Sequence, residues 1–351
     1  MKNHRKFFFL LTPLIFSLLL GCSNALESGD IVYLAKGAHN RYQLFSLNPA
    51  DRNPVGTPLT QLDTDILDFT INDYQEIAFT TADLDESSDI WLLVPNDEEP
   101  QKVVDCVEVA CKNPRWSPKL ALFIYEKRPI INGEVRQETP TLWWFDLPTG
   151  QSVAVFDSPD WIGQDARFSA DGESITYVVP IIDEAQIFHI PTGEISGISS
   201  RTGTPLEWGL GDDIYFSALL VRNERAMIHI LKTNRDGNEL IDLSGTEAVV
   251  EDAGYLVSPS GEQLLFTRKP PRSSSGRQIW VMGINGEEPR SLTAEQAVQH
   301  GAVSWSNDGR QLLYQRFDLT ELNAKPAIWT IDIETEKTTF LTAGTRPQWV
   351  P

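Results

Sequence analysis

Trp305-Ser306-Asn307-Asp308-Gly309, followed five residues later by Tyr314, decides the fold of this chain because it is repeated. Phe168-Ser169-Ala170-Asp171-Gly172 leads to Tyr177, and Val257-Ser258-Pro259-Ser260-Gly261 leads to Phe266. A worn copy, Trp116-Ser117-Pro118-Lys119-Leu120, leads to Tyr125. In all four the first hydrophobic residue and the later aromatic stand nine positions apart. Asp-Gly between two apolar runs is a strong hairpin signal.

Around each copy a longer pattern recurs. A short apolar strand enters the turn, and a second leaves it, as in Gln311-Leu-Leu-Tyr314. A loop of variable length leads to a third strand, such as Gln278-Ile-Trp-Val-Met282 or Ala327-Ile-Trp-Thr-Ile331. Another tight turn, such as Asn285-Gly286, precedes a fourth strand, as in Thr338-Thr-Phe-Leu-Thr342. Four antiparallel strands with turn chemistry at each bend make a propeller blade. The leading hydrophobics are Phe69, Trp116, Phe168, Trp208, Val257, Trp305 and Trp349, at intervals of 40 to 52 residues. The copy at Trp349 stops after one strand, whereas Ile31-Val-Tyr-Leu34 begins with a second-strand pattern. The C-terminal strand is therefore expected to complete the N-terminal blade and remove an open edge. The fold class is all-β, a single propeller of seven four-stranded blades. Six is the alternative, because the copies at Phe69 and Trp208 lack the Asp-Gly turn.

The Trp-Ser-x-Asp-Gly phrase, with Ile-Trp-Val-Met and Glu-Pro-Arg-Ser-Leu-Thr after it, resembles the TolB-type propeller repeat. The resemblance is strongest over residues 253–349 and weak before residue 113. It implies the fold strongly and function weakly, since that family spans periplasmic binding proteins, surface lipoproteins and the propellers of prolyl-oligopeptidase-type peptidases. The family's namesake has an additional N-terminal α/β domain, for which this chain has no room, so its role is not carried over.

Residues 1–21 stand apart. Lys2, Arg5 and Lys6 precede an apolar stretch of 14 residues, 7–20, too short for a comfortable span and suited to a signal peptide. Leu19-Leu20-Gly21-Cys22 resembles the lipobox of bacterial lipoproteins, which implies acylation of Cys22 by fatty chains such as palmitate. An ordinary secretory signal is the alternative. The expected organisation is a signal peptide over 1–21, a lipid-anchored linker over 22–29 and the propeller over 30–351. That places the protein in the bacterial cell envelope, on the periplasmic side or the cell surface. Ser23 after the cysteine, where Asp would favour inner-membrane retention, hints at outer placement.

The formal charge of −20, more negative still once the signal is removed, disfavours nucleic acid and anionic surfaces as partners. In an exported chain Cys106 and Cys111 are expected to oxidise to a disulfide, free thiols being the alternative.

Strand order divides the loops between two faces. The first-to-second and third-to-fourth turns are short and glycine-rich. The second-to-third loops and the links between blades are long, charged and variable, as on a binding face. There Arg128, Arg222, Arg225, Arg268, Lys269 and Arg272 make a candidate basic binding sector against an acidic background. Asp83, Asp85 and Asp89 alternate as Ca²⁺ ligands can, but Ser88 and Val94 stand where a turn glycine and a bidentate glutamate belong. A solvated acidic loop is the better reading, and no cofactor is expected. His189 and His229 occupy matching strand positions without a clear third ligand, which favours packing over zinc. The third-strand tryptophans Trp91, Trp143, Trp280 and Trp329 recur once per blade and are read as interblade core. No Gly-x-Ser-x-Gly or phosphate loop is present. The expectation is a non-catalytic scaffold with a monomeric body, binding protein or peptide in the envelope. The alternatives are an enzyme acting on envelope polysaccharide and a structural subunit of an envelope assembly.

Overall fold

Each repeated phrase closes the same turn. In the last full copy Ser306 Oγ accepts the Gln311 N–H (3.0 Å) and donates to Asp308 Oδ1 (2.7 Å), which also accepts the Arg310 N–H (3.0 Å). Gly309 N–H returns to the Ser306 carbonyl, at φ +70°, where a side chain would be strained. Ser169, Asp171, Gly172 and Glu173 repeat this geometry. Serine and aspartate thus satisfy the backbone donors of the bend, and glycine supplies the dihedral.

The computed structural model describes residues 26–351, apart from 84, 98, 159–160, 183, 201, 238 and 270–274. Its strands form seven blades. Blade 1 runs Thr345–Trp349, Ile31–Lys36, Tyr42–Leu47 and Thr57–Pro58 from the centre outward. Blade 2 begins with Ile66–Ile71, blade 3 with Val109–Trp116, blade 4 with Gln164–Phe168, and blade 5 with Glu207–Trp208. Blades 6 and 7 begin with Glu251–Val257 and Val298–Trp305. Blades 2 and 3 touch through one parallel pair, Ser88 with Ala110, and blades 5 and 6 through Ile228 with Glu251. Every leading hydrophobic residue of the sequence pattern lies in the innermost strand of its blade.

The two irregular copies still make turns. Asn72 Oδ1 accepts the N–H groups of Tyr74 (3.0 Å) and Glu76 (2.9 Å), while Gly209 N–H bonds the Asp213 carbonyl (2.8 Å). Side-chain capping or another glycine thus replaces Asp-Gly, and the count is seven.

Second strands such as Ile77–Ala82 and Ser174–Val179 are buried almost throughout. They lie mid-blade with a neighbouring blade on either face, so they read as continuous apolar runs. Apolar clusters fill all seven junctions between neighbouring blades. At the closing junction Ile31, Tyr33 and Leu47 of blade 1 pack with Leu313, Ile328 and Leu341 of blade 7. Trp116, Trp208 and Trp305 each donate Nε1–H to an inner-strand carbonyl of the preceding blade, those of Thr70, Arg167 and Leu256. The third-strand tryptophans pack at the junctions opposite the second-strand aromatics, as in the pairs Trp280 with Phe266 and Trp329 with Tyr314. A cation often covers the ring: Lys127 over Trp143 at 3.6 Å and Arg268 over Trp280 at 4.8 Å.

Cys106 and Cys111 form a disulfide, with Cα atoms 6.3 Å apart, that joins the link after blade 2 to the first strand of blade 3. Among the described residues no helix is long and apolar enough to cross a membrane.

Candidate functional site

The arginines of the variable-loop face are largely engaged with the protein itself. Arg128 is buried, donates to Glu126 at 2.6 Å and 3.1 Å, and reaches Gln137 and Gln164 with its remaining donors. Arg268 grips Asp252 in a fork, both contacts 2.7 Å, and Asp252 is wholly buried. Arg222 pairs with Asp242 (3.1 Å) and the Thr246 carbonyl (2.6 Å). Arg225 is exposed beside the hairpin tip, Lys269 is half-buried, and Arg272 lies outside the described residues. The physical reason is register: Arg268 on the second strand stands directly opposite Asp252 on the first, 16 positions away in sequence.

The acidic loop of blade 2 does not converge on a point. Asp89 is buried, where it meets Lys102 (2.5 Å) and accepts the Cys106 N–H (2.8 Å). Asp83 and Asp85 both bond Ser87. Among the described residues no three His, Cys, Asp or Glu side chains are grouped to hold a metal. His229 is buried between Asp242 and the Ala248 carbonyl, and His189 bonds Thr192 in its own turn.

A second set of charged side chains lies around the central channel. Three residues before the leading hydrophobic, five inner strands carry a left-handed residue at an irregularity in pairing: Asn113, Asp165, Gly254, Ala302 and Arg346, with φ between 47° and 63°. A bulge of this kind turns the strand and re-aims the side chains after it. In blades 4–6 the residue just before the leading hydrophobic lines one cavity, and every blade has a residue at that position. Around the ring from blade 2 these are Asp68, Arg115, Arg167, Glu207, Leu256, Ser304 and Gln348. At this position blades 2–5 thus carry acid, base, base, acid and the other three no charge, while blade 1 contributes Arg346 two residues earlier.

Asp68 pairs with Arg115 on one side (3.5 Å) and Arg346 on the other (3.1 Å), linking blades 1, 2 and 3. Arg167 and Glu207 line a cavity of about 470 Å³. Its opposite wall is made of Ala253, Gly254, Tyr255, Leu256 and the stretch from Gly301 to Val303. Arg277, Gln299 and His300 continue the lining towards the variable-loop side. Arg167 donates to the carbonyl of its neighbour Ala166 (3.0 Å) and has no carboxylate within 4.0 Å among the described residues. Enclosure in the channel, then the adjacent Arg115 charge, holds its guanidinium below the usual arginine range. Burial raises Glu207 and Asp165 above the usual carboxylate range. The site therefore has a charged wall whose groups are incompletely matched and a largely apolar wall that includes Gly254, Gly301 and Ala302.

Sequence reasoning missed this set. The signal was present as Asp68-Phe69, Arg115-Trp116, Arg167-Phe168 and Glu207-Trp208. A charged residue beside a core aromatic looks like ordinary strand alternation until the ring brings the four together.

The sequence matches no protein-family model and no curated protein. Solved structures do match. TolB from Acinetobacter baumannii is 14% identical, with 92% of this chain and 83% of that one covered at a TM-score of 0.52. An oligogalacturonate lyase in complex with manganese is 15% identical, covering 90% and 86%, with a TM-score of 0.61. The β-propeller domain of the Trilobed protease from Pyrococcus furiosus, described as having an open velcro topology, is 13% identical, covering 91% and 96%, with a TM-score of 0.61. In this chain, by contrast, the last strand pairs with the first. Similarity at this level of identity carries the fold alone: the chain is a β-propeller similar in fold to TolB and to these other propellers.

Proposed function

We propose that this protein is a lipid-anchored, extracytoplasmic and non-catalytic binding module that takes a peptide or protein segment at the variable-loop mouth of its channel. The observation that carries this reading is the opposition between the tether and the cavity. Ser28 and Val350 accept hydrogen bonds from Asn307, in the tight turn of blade 7, and Leu26 packs against the apolar junction of blades 1 and 2. The chain entering from Cys22 is thus fastened on the tight-turn side. Three residues separate Cys22 from Leu26, and the four steps between them reach at most about 14 Å. An acylated Cys22 would hold the tight-turn face near the bilayer and turn the channel mouth and its loops away from it. Loops displayed outward on a rigid ring are the usual place for recognition.

A binding role is favoured over catalysis by the state of the cavity's histidine. Both ring nitrogens of His300 are engaged, one with Glu295 (3.0 Å) and one with the Arg277 carbonyl (3.1 Å). The test is fractionation of cells carrying Cys22→Ala, with affinity capture from solubilised envelope. The reading expects the variant to leave the membrane fraction, or to retain its signal, and the wild type to capture a protein partner. Unchanged membrane partitioning with normal cleavage, or no captured partner, contradicts it.

A further inference from the structure

Resting on the peptide-binding reading above, we propose that the channel contains a carboxylate site centred on Arg167, with Arg115 behind it, that receives the C-terminus of a bound peptide. Arginine offers five donors in a fixed fork that matches a carboxylate in two contacts. One donor group of Arg167 is used by the Ala166 carbonyl, and the rest of the guanidinium borders the cavity. Enclosing such a cation without a directly paired carboxylate is costly, and Glu207, Asp165 and Asp68 offset its charge only from a distance. Arg115 does not relieve it, because its own charge adds to the field at Arg167 and is only partly met by Asp68 at 3.5 Å. Glu207 borders the same cavity on the next blade, yet forms no ion pair with Arg167. A gap between an unpaired guanidinium and a carboxyl is the shape a ligand group would fill.

The surrounding charges select the anion. Asp68, Asp165 and Glu207 put negative charge within reach of the same point, so a doubly charged phosphate is repelled more strongly than a carboxylate. The facing wall, with Gly254 and Ala302, leaves room for a slender main chain. A uronate sugar carries the same charge but is a wider chain.

The experiment is calorimetric titration of the detergent-extracted full-length protein with tri-alanine as the free acid, its C-terminal amide, inorganic phosphate and trigalacturonate. The free acid is expected to bind at least tenfold more tightly than the amide or phosphate, and trigalacturonate no more tightly than the amide. Arg167→Gln should lose at least tenfold for the free acid alone, with Arg167→Lys between the two. The acid–amide comparison needs no variant, so it stands even if substitution disturbs folding. Equal binding of acid and amide, no binding of the acid, or preference for trigalacturonate overturns the site. If an envelope partner is still captured in any of those cases, the carboxylate site fails while the binding-module reading survives. Tight acid binding with no captured partner gives the reverse.

Discussion

The Val350 N–H donates to the Asp30 carbonyl at 2.8 Å, and Val350 in turn accepts the Gly29 N–H at 3.0 Å. These contacts join the last residues of the chain to the first described ones, and Trp349 stands opposite Ile31 in the same pairing. Val350 is fully buried in the apolar junction of blades 1 and 2. Deleting residues 345–351 exposes the edge of Ile31–Lys36 and opens that junction. The expected loss is several kcal/mol, so that Tm falls by about 10 °C or more. A truncated protein that melts with the full chain in a calorimetric scan contradicts the closed ring.

The arginines of the variable-loop face should differ sharply in what they contribute to stability. Arg268→Ala strands the wholly buried Asp252 and should cost about 3–5 kcal/mol. Arg222 is more open to solvent, so Arg222→Ala should cost about 0–1 kcal/mol. Exposed Arg225 should change stability by about 0.5 kcal/mol or less. Denaturant unfolding measures all three, and equal costs would show that register does not govern these pairs.

The repeated turns should set the acid limit of the fold. The Ser169 hydroxyl, then the Glu173 N–H, then Arg235 hold Asp171 down to about 2, and Ser306 and the Arg310 N–H lower Asp308. A carboxylate with a folded pKa below its unfolded value of 3.8 stabilises the fold above that value. That contribution is lost as pH falls from about 4 through about 2. Asp171→Asn should therefore flatten part of the fall in unfolding midpoint across this window. An unchanged slope would mean that the turn carboxylates do not couple to folding.

The architecture was legible because each blade repeats its own instructions. The phrase names its turn, the nine-residue spacing names the strand pair, and Trp349 names the closure. Side-chain partnership was not legible in the same way. Asp252 and Arg268 are 16 positions apart, and only strand register shows that they face each other. Arg115 and Arg167 are 52 positions apart and become neighbours only once the ring is formed. Charge in loops was visible in the sequence; whether that charge was already matched was not.

Engagement of a partner at the variable-loop mouth is tested most directly by site-specific photo-crosslinking in intact cells. A photoreactive side chain replaces exposed Ile181 in the second-to-third connection of blade 4 or exposed Val221 near the end of the second strand of blade 5, or exposed Glu173 or Glu262 on tight turns. Adducts to a partner polypeptide from positions 181 and 221, and none from 173 and 262, are the expected result. Adducts confined to 173 and 262 would place recognition on the opposite face and contradict it.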